Sequence, residues 1–267
     1  MTKKPIIRVL SLGAGVKSST LALMAARGEV TAPDCAIFAD TGWEPKAVYK
    51  WLDWLEGQLP FPLYRVSSGD IRADTMAGVN STGQKFSPIP WFFVKGGKKG
   101  MGRRQCTREY KLRPIQRKVI ELMGGKRPKD GCEMLIGISM DEAGRMKPSR
   151  VQYIKNVWPL IDMGMSRQSC LRWMEERQYP KPPKSACVGC PFHSDFMWRD
   201  MKDNDPESWA DALEVDRAIR KSGSAGANFH QFMHHSFQPL DEVDLSTWAE
   251  KGQPDLFNME CEGMCGV

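Results

Sequence analysis

The chain has 267 residues, 41% of them hydrophobic and 26% charged, with a net charge of +6. That length allows one large α/β domain, or a main domain with a smaller appendage, and no apolar run is long enough for a membrane-spanning helix. The start, MTKKPIIRVL, lacks the hydrophobic stretch and cleavage site of a secretory signal, so a soluble cytoplasmic protein is expected; its eight cysteines then point to thiol or metal chemistry, not to a disulfide framework.

The apolar run at residues 6–12 reads as a buried strand, and residues 18–27 read as a helix. Between them lies Ser11-Leu-Gly-Ala-Gly-Val-Lys-Ser-Ser-Thr20. Gly13 and Gly15 are expected to take positive φ and to let the backbone approach an anion. The first N–H groups of the helix lack intrahelical partners and sit at the positive end of its dipole. Ser11, Ser18 and Ser19 add hydroxyls and Lys17 adds a cation, which together suit a pyrophosphate. The stretch is neither GxxxxGK[ST] nor GxGxxG, and by itself it fits an ordinary strand-to-helix turn equally well.

A second strand at 35–39 runs into Phe38-Ala-Asp-Thr-Gly-Trp-Glu-Pro45, which precedes a helix at 45–56. Asp40 there suits a ribose, a base amine or Mg²⁺, or simply caps the helix. A third strand follows at 63–66. Residues 95–118 are dense in Lys and Arg with Glu109 as their single acid, a solvated loop and helix face that also suits an anionic partner such as ATP, a sulfonucleotide or nucleic acid. A helix at 113–123 leads to a fourth strand at 132–138. After it, Asp141 and Glu142 suit a metal, and Arg145, Lys147 and Arg150 suit phosphate or sulfate.

This order of strands and helices predicts an α/β fold, a doubly wound parallel sheet spanning residues 1–150, with ligands gathered at the carboxyl ends of its strands. Beyond about residue 151 the strand pattern fades. A helix at 166–177 is broken by Pro180-Lys-Pro-Pro183, residues 196–221 are helical with an interruption near Pro206, and the remainder is irregular. Residues 151–267 are thus expected to form a mostly helical cap on the sheet. No internal repeat is found.

Cys35 and Cys132 fall in strands and Cys170 in a helix, where packing explains them. Cys106, Cys187, Cys190, Cys261 and Cys265 lie in polar or loop-like surroundings. Cys187-Val-Gly-Cys190-Pro-Phe-His193 has the spacing to hold one tetrahedral ion or two corners of an iron–sulfur cluster. With Cys106 as third ligand, the fourth is Cys265, Cys261, His193 or a group from outside the protein. A [4Fe–4S] cluster and a structural zinc both fit this set. Near the end of the chain, Cys261 suits a mobile nucleophile and equally suits a disordered end with no role. His230, His234 and His235 lack clear ligand spacing and read as surface or packing residues.

Taken together, residues 11–20, 38–45, Gln105-Cys-Thr107 with Tyr110-Lys-Leu-Arg-Pro114, 137–145 and Ser185-Ala-Cys-Val-Gly-Cys-Pro191 resemble the phosphoadenosine phosphosulfate reductase-like family of the PP-loop ATP pyrophosphatase superfamily. The resemblance implies a PP-loop (HUP-like) sheet that binds ATP or an adenylyl sulfate, with Mg²⁺. Ser11, Gly13, Gly15, Lys17, Ser18 and Ser19 would hold the anion, and Asp40, Thr41 and Asp141 would belong to the nucleotide pocket. Lys17 and Arg145 would then act on the leaving pyrophosphate while a substrate oxygen is adenylylated, ahead of sulfur transfer or nucleic-acid modification. A sulfonucleotide reductase using Cys261 is the alternative within the family, and a non-catalytic zinc-stabilised nucleotide- or nucleic-acid-binding module is the alternative outside it. Implied partners are an adenine nucleotide, a nucleic-acid substrate, a sulfur donor or thioredoxin-like reductant, and a second copy in a homodimer. The chain departs from the family in carrying Val16-Lys17 where many members have an acid, and Gln105 where cluster-bearing reductases have a second adjacent cysteine. Its Glu260-Cys-Glu-Gly263 matches the reductases' Glu-Cys-Gly tail only in part.

Overall fold

This computed structural model describes residues 6–79, 87–221, 229–246 and 250. In chain order, the first half contains β1 (Ile7–Leu12), α1 (Val16–Ala26), β2 (Cys35–Asp40), α2 (Lys46–Glu56), β3 (Leu63–Ser67), α3 (Ile71–Ala77), β4 (Phe92–Lys95) and β5 (Lys98–Met101). A π-helical turn, Thr107–Leu112, then leads into α4 (Arg113–Leu122) and β6 (Cys132–Ile136). The 3₁₀ segment Met140–Arg145 follows, then β7 (Ile154–Val157), α5 (Pro159–Asp162), α6 (Arg167–Glu176), α7 (Asp195–Asn204), α8 (Pro206–Lys221) and β8 (Phe229–Phe232). No helix among the described residues is long and apolar enough to cross a membrane.

Five strands form one parallel sheet in the order β3-β2-β1-β6-β7. Side chains alternate between its faces. Leu10, Leu12, Ala36, Phe38, Leu63 and Leu135 pack against α1, α2 and α6, while Val9, Cys35, Ile37, Ala39, Cys132 and Met134 pack against Ile115, Val119 and Met123 at α4. The doubly wound α/β sheet expected from the sequence is therefore present. Its strand order reverses between β1 and β6, the place where such sheets bind ligands.

The sheet runs on past residue 150, through β7, where the sequence offered no strand. Only Ile154 of its four residues is buried, so it shows no periodicity to read. The basic segment also differs from a plain loop and helix face. It begins with the β4–β5 hairpin, turned at Gly96 and Gly97, both with positive φ (54° and 78°), as a tight hairpin turn requires. β8, in a region expected to be irregular, pairs with β4 to complete a three-stranded antiparallel sheet. The C-terminal part is otherwise helical, and Pro206 separates α7 from α8 by starting the second helix.

A second core joins this part to the main sheet. Trp43 from the β2–α2 loop packs with Trp91, Tyr110, Val188, Trp198 and Met233. Val188 N–H donates to Trp43 O at 2.8 Å, and a Cβ on Gly189 would stand 2.0 Å from the Trp43 ring. Only glycine allows that approach, so the Cys187–Cys190 turn is pinned beside the end of β2.

Gly137 plays the same part at the reversal point. A Cβ there would lie 2.8 Å from Ser18 N and Cα, at the start of α1. Gly137→Ala must therefore push α1 from the end of β6, and we expect a loss of about 1–3 kcal/mol in denaturant unfolding. A change too small to measure would show that the two backbones are not in tight contact.

Candidate functional site

Between the ends of β1 and β6 lies a cleft of about 200 Å³, lined by Ser11, Gly13, Gly15, Lys17 and Ser18 from the first βα corner and by Gly137, Glu142 and Arg145 from the β6 side. Residues 181–186 form its third wall. The Ser185 hydroxyl donates to Gly13 O, which straps this wall to the first loop. α1 begins at Gly15, in extended conformation, with no side-chain cap and no acid in its first turn. Its leading N–H groups thus face the cleft without a competing carboxylate, which favours an anion there.

The loop achieves this differently from the sequence expectation. Gly13 and Gly15 do not take positive φ; Ala14 does, at 57°, and it is fully buried. A left-handed alanine costs about 1–2 kcal/mol, which the surrounding packing sustains. Ser18 Oγ accepts the Gly13 N–H at 3.1 Å and closes the turn from inside.

Among the described residues, six cations line the cleft, Lys17, Lys111, Arg145, Arg167, Lys181 and Lys184, against the acid Glu142. Glu142 is buried and bridges two of them: Lys17 Nζ lies 2.5 Å from Oε2, and Arg145 donates to Oε1. Lys17 and Arg145 are thus brought together as expected. Lys111, Arg167, Lys181 and Lys184 were not singled out as site residues. Lys181 sits in the proline run read only as a helix breaker, and Arg167 starts a helix whose sequence carries no site signal.

Several expected pocket residues lie outside the cleft lining. Ser19 is fully buried and accepts the Trp51 indole N–H at 3.0 Å. Asp40 Oδ1 accepts from Gly42 N–H at 2.8 Å and from the Tyr49 hydroxyl at 2.9 Å, so it organises its own loop. Phe38 and Ala39 line the cleft in its place. Thr41 is buried and donates to Glu44 Oε1 at 3.0 Å. Asp141 accepts from Ser139 Oγ at 3.1 Å and from Arg167 N–H. Both oxygens of Glu142 are engaged, Oε2 by Lys17 and Oε1 by Arg145.

The thiols stand close by. Cys187 Sγ is 3.3 Å from Thr41 Oγ1 and 3.4 Å from Glu44 Oε1, and Lys111 Nζ, from the cleft wall, is 3.9 Å from the same carboxylate oxygen. Cys190 is buried one turn on, its N–H donating to Cys187 O at 3.1 Å. Cys106 is half-buried against the core that holds Trp43 and Val188. None of these cysteines is in a disulfide. Three cysteines of this kind suit an iron–sulfur cluster or a single tetrahedral ion alike. Cys261 and Cys265 lie outside the described residues. Burial pushes the thiols of Cys35 and Cys170 up to about 11 and that of Cys132 up to about 12, consistent with packing roles.

No family model matches the chain, and no curated protein matches its sequence. Among solved structures it is similar to phosphoadenylyl-sulfate (PAPS) reductase from Candida auris in a phosphate complex, at 14% identity over 67% of this chain and 76% of that one, with a TM-score of 0.41.

His193, three residues after Cys190, is buried, and neither ring nitrogen has a hydrogen-bond partner among the described residues. Burial, and then the Lys184 cation, push its pKa down to about 3 from 6.5. The unfolded chain therefore binds a proton that the folded one refuses between these values. In metal-free protein, stability is fullest above pH 6.5 and falls below it by about 1.4 kcal/mol per pH unit. His193→Gln should flatten that slope in unfolding midpoints measured from pH 7 to 5; an unchanged slope would assign it to other groups.

Proposed function

We propose that this cleft grips the phosphate tail of an adenine nucleotide, and that the chain is a PP-loop enzyme of the phosphoadenosine phosphosulfate reductase-like kind that adenylylates a substrate. The observation that carries this reading is the convergence of six cations on an uncapped helix N-terminus at the sheet's reversal point.

A substrate oxygen attacks the α-phosphorus of ATP, the bond from that phosphorus to the bridging oxygen breaks, and pyrophosphate departs with the electron pair. Lys17, Arg145 and the first α1 amides hold the charge that develops on it, through donors already in place before reaction. A sulfur or nitrogen nucleophile then attacks the substrate atom that bears the adenylylated oxygen; the bond to that oxygen breaks, and AMP leaves carrying it with the electron pair. The 181–186 wall, tied down by Ser185, limits water at this centre.

Cys106, Cys187 and Cys190 would hold an iron–sulfur cluster, which supplies a site for the sulfur that is transferred. Beyond the cleft, Lys95, Lys98, Lys99, Arg103 and Arg108 are exposed along the hairpin and the π-helical turn that leads to Lys111, a surface suited to a nucleic-acid acceptor.

Incubation with labelled ATP under anaerobic conditions should yield AMP and pyrophosphate, and Lys17→Ala should lower kcat/KM by about 10²–10³-fold. ADP and phosphate would contradict the proposed bond cleavage, and sulfite release from adenylyl sulfate, abolished by Cys261→Ser, would replace it with a reductase. Anaerobically purified protein should be brown and lose that colour in Cys187→Ser; a colourless, zinc-loaded wild type would refute the cluster.

A further inference from the structure

Away from the cleft lining, the turn after β8 brings two histidines to the start of α7. His234 Nε2 lies 3.1 Å from Asp195 Oδ1, and His235 Nδ1 lies 3.7 Å from the same oxygen. One ligand atom from each of the three residues falls within 4.8 Å of the others. From this juxtaposition we propose that Asp195, His234 and His235 bind a divalent transition ion of the zinc class.

The spacing is that of one coordination shell. With metal–nitrogen and metal–oxygen bonds of about 2.0–2.2 Å, neighbouring ligands of an octahedral or tetrahedral ion stand about 2.9–3.5 Å apart. The two measured separations need shifts of only a few tenths of an ångström to meet that range. Two imidazoles and a carboxylate select zinc, nickel or copper over magnesium or calcium, which prefer all-oxygen shells.

His234 anchors the site. Its side chain is 1% exposed, against 44% for Asp195 and 55% for His235, so a buried ligand is fixed and two surface ligands leave coordination positions open to water. Burial, then the neighbouring His235, lowers the pKa of His234, which favours the neutral imidazole that metals bind. In the ion-free protein His234 Nδ1 accepts the Ser236 N–H at 3.1 Å, which leaves the proton on Nε2, facing Asp195. An ion on Nε2 takes the other tautomer, with the proton on Nδ1; the Ser236 N–H then gives up its bond to that nitrogen and Ser236 Oγ, 2.8 Å away, becomes the acceptor that orients the ring. The ion then replaces a single hydrogen bond as the clip between the small sheet and α7, the helix that follows the Cys187–His193 segment.

Co²⁺ distinguishes this site from the thiols, because cobalt on cysteine gives an intense sulfur-to-metal charge-transfer band and cobalt on nitrogen and oxygen does not. The full chain titrated with Co²⁺ should take up one equivalent without that band. His235→Ala, an exposed position whose replacement spares the core, should lose this equivalent, and Asp195→Asn should weaken it at least about tenfold. Near-ultraviolet circular dichroism confirms that each variant is folded. Equal stoichiometry and affinity in wild type and His235→Ala, or cobalt bound solely with the charge-transfer band, would overturn the assignment.

Discussion

Like charges crowded into a small cleft repel, by about 4 kcal/mol for a pair 4 Å apart at an effective dielectric near 20, and the site depends on how this chain contains that repulsion. Glu142 is placed between Lys17 and Arg145, and Glu44 near Lys111, so buried carboxylates hold three of the six cations. Arg167, Lys181 and Lys184 add to the positive field of the cleft wall. A polyanion entering such a field would meet donors already in place.

The backbone makes such crowding possible. Gly137 lets the end of β6 touch the start of α1, the left-handed Ala14 turns the first loop back under it, and Ser185 ties the opposite wall to Gly13. Gly189 lets the Cys187–Cys190 turn dock on Trp43, at the end of the neighbouring strand. Two close approaches, each open only to glycine, therefore set the distance between the cleft and the thiols. Cys187, Glu44 and Lys111 form the physical line between them.

Much of this was legible in the sequence, for local reasons. β1, β2 and β6 were readable because they are apolar runs with buried residues on both faces, and the Ser11–Thr20 stretch because a strand, glycines and a helix start lie within ten residues. β7 was not, since a four-residue edge strand with one buried side chain has no pattern. The φ of Ala14 was hidden because glycine is the usual occupant of that conformation, and two glycines flank it. Arg167, Lys181 and Lys184 reach the cleft through tertiary folding alone, and no spacing in the chain announces them. Asp40 and Thr41 lie at the strand end the sequence pointed to, and their side chains make hydrogen bonds with Gly42, Glu44 and Tyr49 that no local pattern announces.

The central claim is that the first amides of α1 are an anion seat, and backbone amide NMR of the ¹⁵N-labelled protein titrated with pyrophosphate tests it most directly. The largest shifts should fall on Val16, Lys17 and Ser18 and saturate together, with Gly137 following. Shifts confined to the exposed hairpin, or none at these amides under saturating pyrophosphate, would contradict the account.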